Sequence, residues 1–175
     1  GDQPVAIRRT ELSQRLRAQA EVLGVRLETG RAVTRVDAAG VHLGSETRTA
    51  NLVVGADGLH SKTRAWVAGR GRPARTQRFG LRQHVALAPW TDGIEVHWHP
   101  DAEAYITPVG DKCVGVAFLS STRPVSWDAQ LTRFPALQRR LAEAPAASRV
   151  QGSGPLRQRC RRVRRGPVVL VGDAA

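Results

Sequence analysis

The chain has 175 residues, 41% of them hydrophobic and 24% charged, with a formal net charge of +12 and a mean hydropathy of −0.31. That length can bury a real core, as one domain or as a domain with a smaller lobe. No window approaches the ~18 apolar residues of a membrane span, and the first residues form no secretory signal, so a cytoplasmic protein without stable membrane insertion is expected. Cys113 and Cys160 stand far apart, form no CxxC and read as reduced thiols. Lys62 and Lys112 are the only lysines, so the charge is an arginine excess. It fits either an electropositive surface for an anionic partner or a codon-driven enrichment of solvated faces.

In chain order, the first clear element is a helix over "RTELSQRLRAQAEVLG". Leu12, Leu16, Ala20 and Leu23 recur at helical spacing, Thr10 can cap the start, Glu11 suits the positive end and Gly24 the stop. "VRLET", "AVTRVDA" and "GVHLG" read as short strands with Gly30, Gly40 and Gly44 at the turns. Leu52-Val53-Val54 is continuous rather than alternating, which predicts a parallel strand covered on both faces. It runs into Gly-Ala-Asp-Gly, after which Ser61 opens a helical segment.

Residues 69–76, "GRGRPART", read as a linker. Four strand-like runs follow, "GLRQHVALAPW", "GIEVHWHP", "AYITPVG" and "CVGVAFLS", and predict an antiparallel sheet. "SWDAQLTRFPALQRRLAEAP" reads as a helical pair broken at Pro135. A loop around Gly152 to Pro155 and the run "LRQRCRRVRR" then lead to a strand, Val168 to Val171, and to Gly172-Asp173-Ala-Ala.

Two apolar strands thus end in Gly/Asp turns. Open α/β sheets bind ligands at the carboxyl ends of their strands. Asp57 there can accept from ribose or ribityl hydroxyls or from backbone amides, and glycines without Cβ let a ligand or a neighbouring backbone come close. Asp57-Gly58 could also be a hairpin turn, but "LHSKTRAWV" is no strand partner. Gly172-Asp173 followed by two alanines predicts close approach and a helix start that favours an anionic group.

The segments "IRRTELSQRL", "GRAVTRV", "LVVGADGLHSKTR", "YITPVG" and "VVLVGDAA", in this order, resemble the FAD-dependent aromatic hydroxylase class of flavoproteins and the related geranylgeranyl-reductase-like oxidoreductases. The resemblance runs from Arg9 to Ala175. It implies an α/β fold with an α+β insert, in which a Rossmann-like FAD/NAD(P)-binding domain is interrupted by a mixed antiparallel substrate domain. The expected division is 1–72 and 166–175 for the cofactor domain and 73–165 for the insert, whose sheet (residues 77–119) would roof the substrate.

The resemblance places Arg9 on the flavin side of the cofactor and the backbone of Val33 at the adenine. It gives Asp57 and Gly58 to flavin and NAD(P)H binding, with Ser61 and Arg64 completing the motif. Gly172 and Asp173 fall at the ribityl chain and the neighbouring pyrophosphate. The implied activity is an NAD(P)H-dependent FAD monooxygenase acting on an aromatic or polyketide-like small molecule. The rivals are an alkene reductase with the same cofactor and, from another class, a basic nucleic-acid-binding module. No catalytic residue or metal ligand is assigned.

The chain departs from this class in lacking the strand, GxGxxG turn and helix that cradle the ADP half of FAD, and so reads as the middle of a longer protein, inactive alone. "GRGRPA" (69–74) fits GxGxxA by letter but follows no strand and contains Pro73, "GSGPLR" (152–157) has Arg157 in place of the third glycine, and both read as loops. His97 and His99 share one strand face but have no third ligand, and read as surface histidines rather than a zinc site. The six arginines of "RQRCRRVRR" have no aromatic residue among them to stack bases, which argues against nucleic acid.

Overall fold

The computed structural model describes residues 7–69, 76–123 and 126–175. The first element of the described residues is helix α1 (Arg9–Val22). Next come strands β1 (Arg35–Asp37), β2 (Gly40–Leu43), β3 (Glu46–Arg48) and β4 (Val53–Gly55), then α2 (Lys62–Ala68). Strands β5 (Phe79–Val85), β6 (Glu95–His99), β7 (Ala102–Gly110) and β8 (Cys113–Ser120) precede α3 (Trp127–Leu131) and α4 (Pro135–Leu141). The chain closes with β9 (Gln151–Ser153), β10 (Arg164–Arg165), β11 (Val168–Leu170) and a 3-10 turn at Gly172–Ala174.

The described residues form two compact units. One joins the segment up to Arg26 with Thr76–Leu156; the other joins the segment from Leu27 to α2 with Arg157–Ala175. This grouping differs from the sequence-based division, because α1 belongs with the antiparallel sheet and the second boundary falls at Leu156/Arg157. The linker expected at 69–76 and the "GRGRPA" segment lie, apart from Gly69 and Thr76, outside the described residues.

In the unit containing β5 to β9, the sheet order is β6-β7-β8-β5-β9, antiparallel throughout. Strict alternation sends Ala102, Ala104 and Ile106 of β7 and Val114, Val116 and Phe118 of β8 to one face. Phe134, Leu137 and Leu141 from α4 and its N-cap close that core. Pro135 begins α4 at its first turn, where its missing N–H costs nothing. Helix α1 starts one residue before Thr10, with extended Arg8 at its cap and no capping side chain. The Arg8 carbonyl already accepts from Leu12 N at 3.0 Å, so Thr10 falls inside the first turn. Gly24 ends α1 at φ +80°, as its position predicts. No residue of α1 is buried, and Leu16 is 62% exposed.

In the other unit, β1-β2-β3 form an antiparallel meander and β10-β11-β4 a second sheet, in which β4 and β11 run parallel. The pairing of Val168 with Val53 and Leu170 with Gly55 brings together the two strands that the sequence marked, across the whole intervening sheet. Helix α2 packs on β1, β10 and β11, with Val36, Val67, Val168, Leu170 and Ala174 at the core. Val54 is 52% exposed, so this pair is covered on one face and not on both as expected. "VRLET" alternates but pairs with no described strand, while Glu46–Arg48 takes the meander's third place.

Candidate functional site: the paired turns

The turns after β4 and β11 leave the same end of the parallel pair, and the Val171 N–H donates to Gly55 O at 3.0 Å. Gly55 is where the strand meets α2: a Cβ there would lie 2.6 Å from Thr63 Cγ2 and 2.9 Å from Leu170 Cδ2. Gly58 and Gly172 hold φ of +76° and +58°, a region costly for residues with a Cβ.

Asp57 serves its own chain. Its Oδ1 accepts from Ser61 Oγ at 2.5 Å, and its Oδ2 accepts from Thr63 N and Thr63 Oγ1, both at 3.1 Å. Ser61 Oγ in turn accepts from Arg64 N at 2.8 Å, capping α2. Burial pushes the Asp57 carboxyl up, but the bonds from Ser61 and Thr63 outweigh it and hold it below the usual range. Of the acceptor roles open from sequence, the structure displays the one toward backbone and hydroxyl groups of α2.

Arg64 links the two turns. It is 9% exposed, and its guanidinium donates to Leu59 O, to Asp173 O at 3.0 Å and to Ala174 O at 3.4 Å. Gln158 Nε2 also donates to Leu59 O, at 2.8 Å. Arg165 stacks 4.6 Å over Trp66 and donates to its carbonyl, so part of the arginine run clasps α2. Both aspartates are exposed, but the Asp173 carboxylate, unlike that of Asp57, has no partner among the described residues. Val33 is 39% exposed just before β1, and its carbonyl lies 3.5 Å from Lys62 Nζ. Val33, Asp57, Gly58, Gly172 and Asp173 therefore share one unit, whereas Arg9 opens α1 in the other.

That other unit carries a second cluster, which the sequence reading passed over. The sheet face opposite α3 and α4 presents Arg82 and His84 from β5, Glu103 and Tyr105 from β7, and Val96 and Trp98 from β6. Tyr105 donates to Glu103 at 2.6 Å, Arg78 pairs with the same carboxylate, and Arg82 donates to Gln151. Burial, then Arg8 and Arg82, hold the His84 pKa below its ordinary value and so favour the neutral ring. Arg8 reaches Cys113 Sγ at 3.4 Å. The signal was available as the i, i+2 spacing of Arg82 and His84 in a strand.

His97 and His99 point the other way, toward the helices, and both are partly exposed. His97 Nε2 is 3.3 Å from Glu95, and His99 packs edge-on to Phe134. Gly152 sits in edge strand β9 with no helix after it, so "GSGPLR" is no phosphate cradle. Both cysteines are free thiols. Among the described residues no helix is long and apolar enough to cross a membrane.

No protein-family model matches the chain. A Rhodococcus erythropolis protein named "Putative 2-heptyl-3-hydroxy-4(1H)-quinolone synthase AqdB1" is 37% identical over 87 residues, which is 49% of this chain and 22% of that protein. Among solved structures, the flavin-dependent halogenase CmlS aligns with 98% of this chain at a TM-score of 0.76 and 18% identity. A geranylgeranyl bacteriochlorophyll reductase-like protein from Thermoplasma acidophilum aligns with 95% at 0.79 and 19% identity. Klebsiella pneumoniae HpxO, solved with FAD and uric acid, aligns with 95% at 0.68 and 23% identity. The fold is that of the FAD-binding oxidoreductases. This chain spans 36% of the CmlS structure and 47% of each of the other two, and so matches only part of that fold.

Proposed function

We propose that the protein containing this chain is an NAD(P)H-dependent FAD monooxygenase that hydroxylates an aromatic or polyketide-like small molecule. The observation that carries it is the pair of strand-end turns, one ending in an exposed carboxylate without a partner, Asp173, beside a glycine that leaves the backbone bare. An acceptor of that kind fits a hydroxyl-bearing chain such as the ribityl group of a flavin. FAD, when bound, supplies the redox chemistry, taking electrons from NAD(P)H and passing them to oxygen.

The chain's own residues bind and orient. Asp173 accepts from a cofactor hydroxyl, and Arg64 holds the backbone of the Asp173 turn against the turn that Asp57 fastens to α2. Arg82, neutral His84 and Tyr105 on the open sheet face orient the substrate, with Trp98, 75% exposed, as an apolar surface beside them. The hydroxylated quinolone in the name of the Rhodococcus relative supports an aromatic substrate. The reductase-like neighbour supports a second reading, reduction of an alkene.

In the full-length protein, Asp173→Ala should lower FAD affinity by about five- to 150-fold, the value of roughly 1–3 kcal/mol for a lost acceptor. Flavin fluorescence reads the affinity, and wild-type affinity would sink this assignment. Product mass separates the chemistries: a gain of one oxygen supports hydroxylation, a gain of two hydrogens the reductase, and halogen incorporation a third course.

A further inference from the structure

We propose that the hollow between the Trp90 loop, β6 and α4 is a second ligand site, built for a flat aromatic monoanion such as an arenecarboxylate. It lies on the helix-packed side of the antiparallel sheet, opposite the face that bears Arg82, His84 and Tyr105. Its volume is about 440 Å³, within the range of small-molecule sites. Leu137 and Ala136 supply apolar lining, and the Trp90 indole supplies an aromatic wall.

The polar groups define the ligand. The Arg140 guanidinium lies 4.5 Å over the Trp90 ring, a cation–π contact that commits none of its N–H groups to an acceptor. Arg140 has no hydrogen-bond acceptor or carboxylate partner among the described residues. Arg139 uses only Nε, on Pro135 O at 3.4 Å, which leaves both terminal nitrogens. A planar fork of this kind matches a carboxylate.

Glu95 also lines the hollow, and it opposes an anion. Its Oε1 accepts from Trp90 Nε1 at 2.7 Å and its Oε2 meets His97 Nε2 at 3.3 Å, so it fixes the wall while both oxygens are engaged. Two guanidiniums against one carboxylate leave a single positive charge from the arginines and Glu95. That balance favours a carboxylate over a dianionic phosphate, and the indole favours a ring behind it.

The test is calorimetric titration of the full-length protein with 1-naphthoate, with 1-naphthylmethanol as the neutral control and cyclohexanecarboxylate as the non-aromatic one. We expect 1-naphthoate to bind about tenfold or more tightly than either control, since a charge-assisted bond and an aromatic contact are each removed. The Arg139→Gln/Arg140→Gln pair should lose about tenfold or more in affinity, because both guanidiniums are gone. Both side chains are exposed, so the melting temperature should hold. Trp90→Leu should weaken binding as well, and if it fails to fold the arginine pair decides alone. Arg17→Gln, at an exposed position of α1 away from both faces of the sheet, should leave naphthoate affinity unchanged. Absent binding, binding that survives the arginine pair, or binding lost with Arg17→Gln would overturn the proposal.

Discussion

Replacing Arg64 by methionine keeps much of the stem's volume and removes every donor of the guanidinium. Three backbone carbonyls then lose a partner: Leu59 O, Asp173 O at 3.0 Å and Ala174 O at 3.4 Å. Hydrogen bonds from a charged group contribute about 1.5–3 kcal/mol each, and the longest of the three deserves little of that. Leu59 O keeps its bond from Gln158, so its loss is partial. Removing the desolvation of a nearly buried cation offsets part of the remainder. The expected cost is about 2–4 kcal/mol, concentrated where the Asp173 turn meets α2. Denaturant unfolding followed by tryptophan fluorescence measures the total. Hydrogen exchange locates it: amides of 172–175 and 62–64 should exchange faster, those of β7 and β8 unchanged. FAD affinity should fall with the turn, and Arg64→Lys should recover part of it through one donor. Asp173→Ala makes the contrast, because an exposed carboxylate without a partner can be removed with little effect on stability. Were Arg64→Met to unfold at the wild-type denaturant midpoint, the account of Arg64 as the tie between the turns would be wrong.

Gly55→Ala forces a Cβ to within 2.6 Å of Thr63 Cγ2 and should cost about 1–3 kcal/mol as overpacking, read from the same unfolding curves. Glu46, bonded by Arg31 and Arg48, has its carboxyl drawn from 4.5 down to about 2. A depressed folded pKa gives stability that is present above 4.5 and lost as the pH falls toward 2, so Glu46→Gln should flatten the acid limb of the melting profile there. His84 should titrate below 6.5 by proton NMR, and Arg82→Gln should raise its pKa by removing one of two nearby cations. A His84 resonance that does not move in that variant would remove Arg82 from its surroundings.

The strand, turn and helix from Val53 to Ala68 were legible because each signal is local: an apolar run, a glycine needing close contact, a serine cap. Where a donor goes is not local. Asp57 could be marked as an acceptor from its place after a strand, but only the path of α2 decides that Ser61 and Thr63 take both oxygens. Pairing partners are equally remote, which is why "VRLET" fails as a strand while the two exposed arginines of β10 succeed beside β11.

Strand β6 makes the strongest case, since its pattern is inverted. In "GIEVHWHP" the polar Glu95, His97 and His99 face the helices, while Val96 is 38% and Trp98 75% exposed on the other side. Simple alternation would bury the tryptophan and expose the acid. The inversion holds because Glu95 and His97 line a hollow in which Trp90 and Arg140 give them partners or company, so burial costs them little. It leaves an aromatic ring and a valine on the same sheet face as Arg82, His84 and Tyr105. A monomer gains nothing by showing water an indole next to a cation. A face that must meet a flat, partly charged molecule gains area from the first and orientation from the second. The departure from hydrophobic patterning thus falls on the face we propose for the substrate, as expected where a functional surface overrides a folding rule.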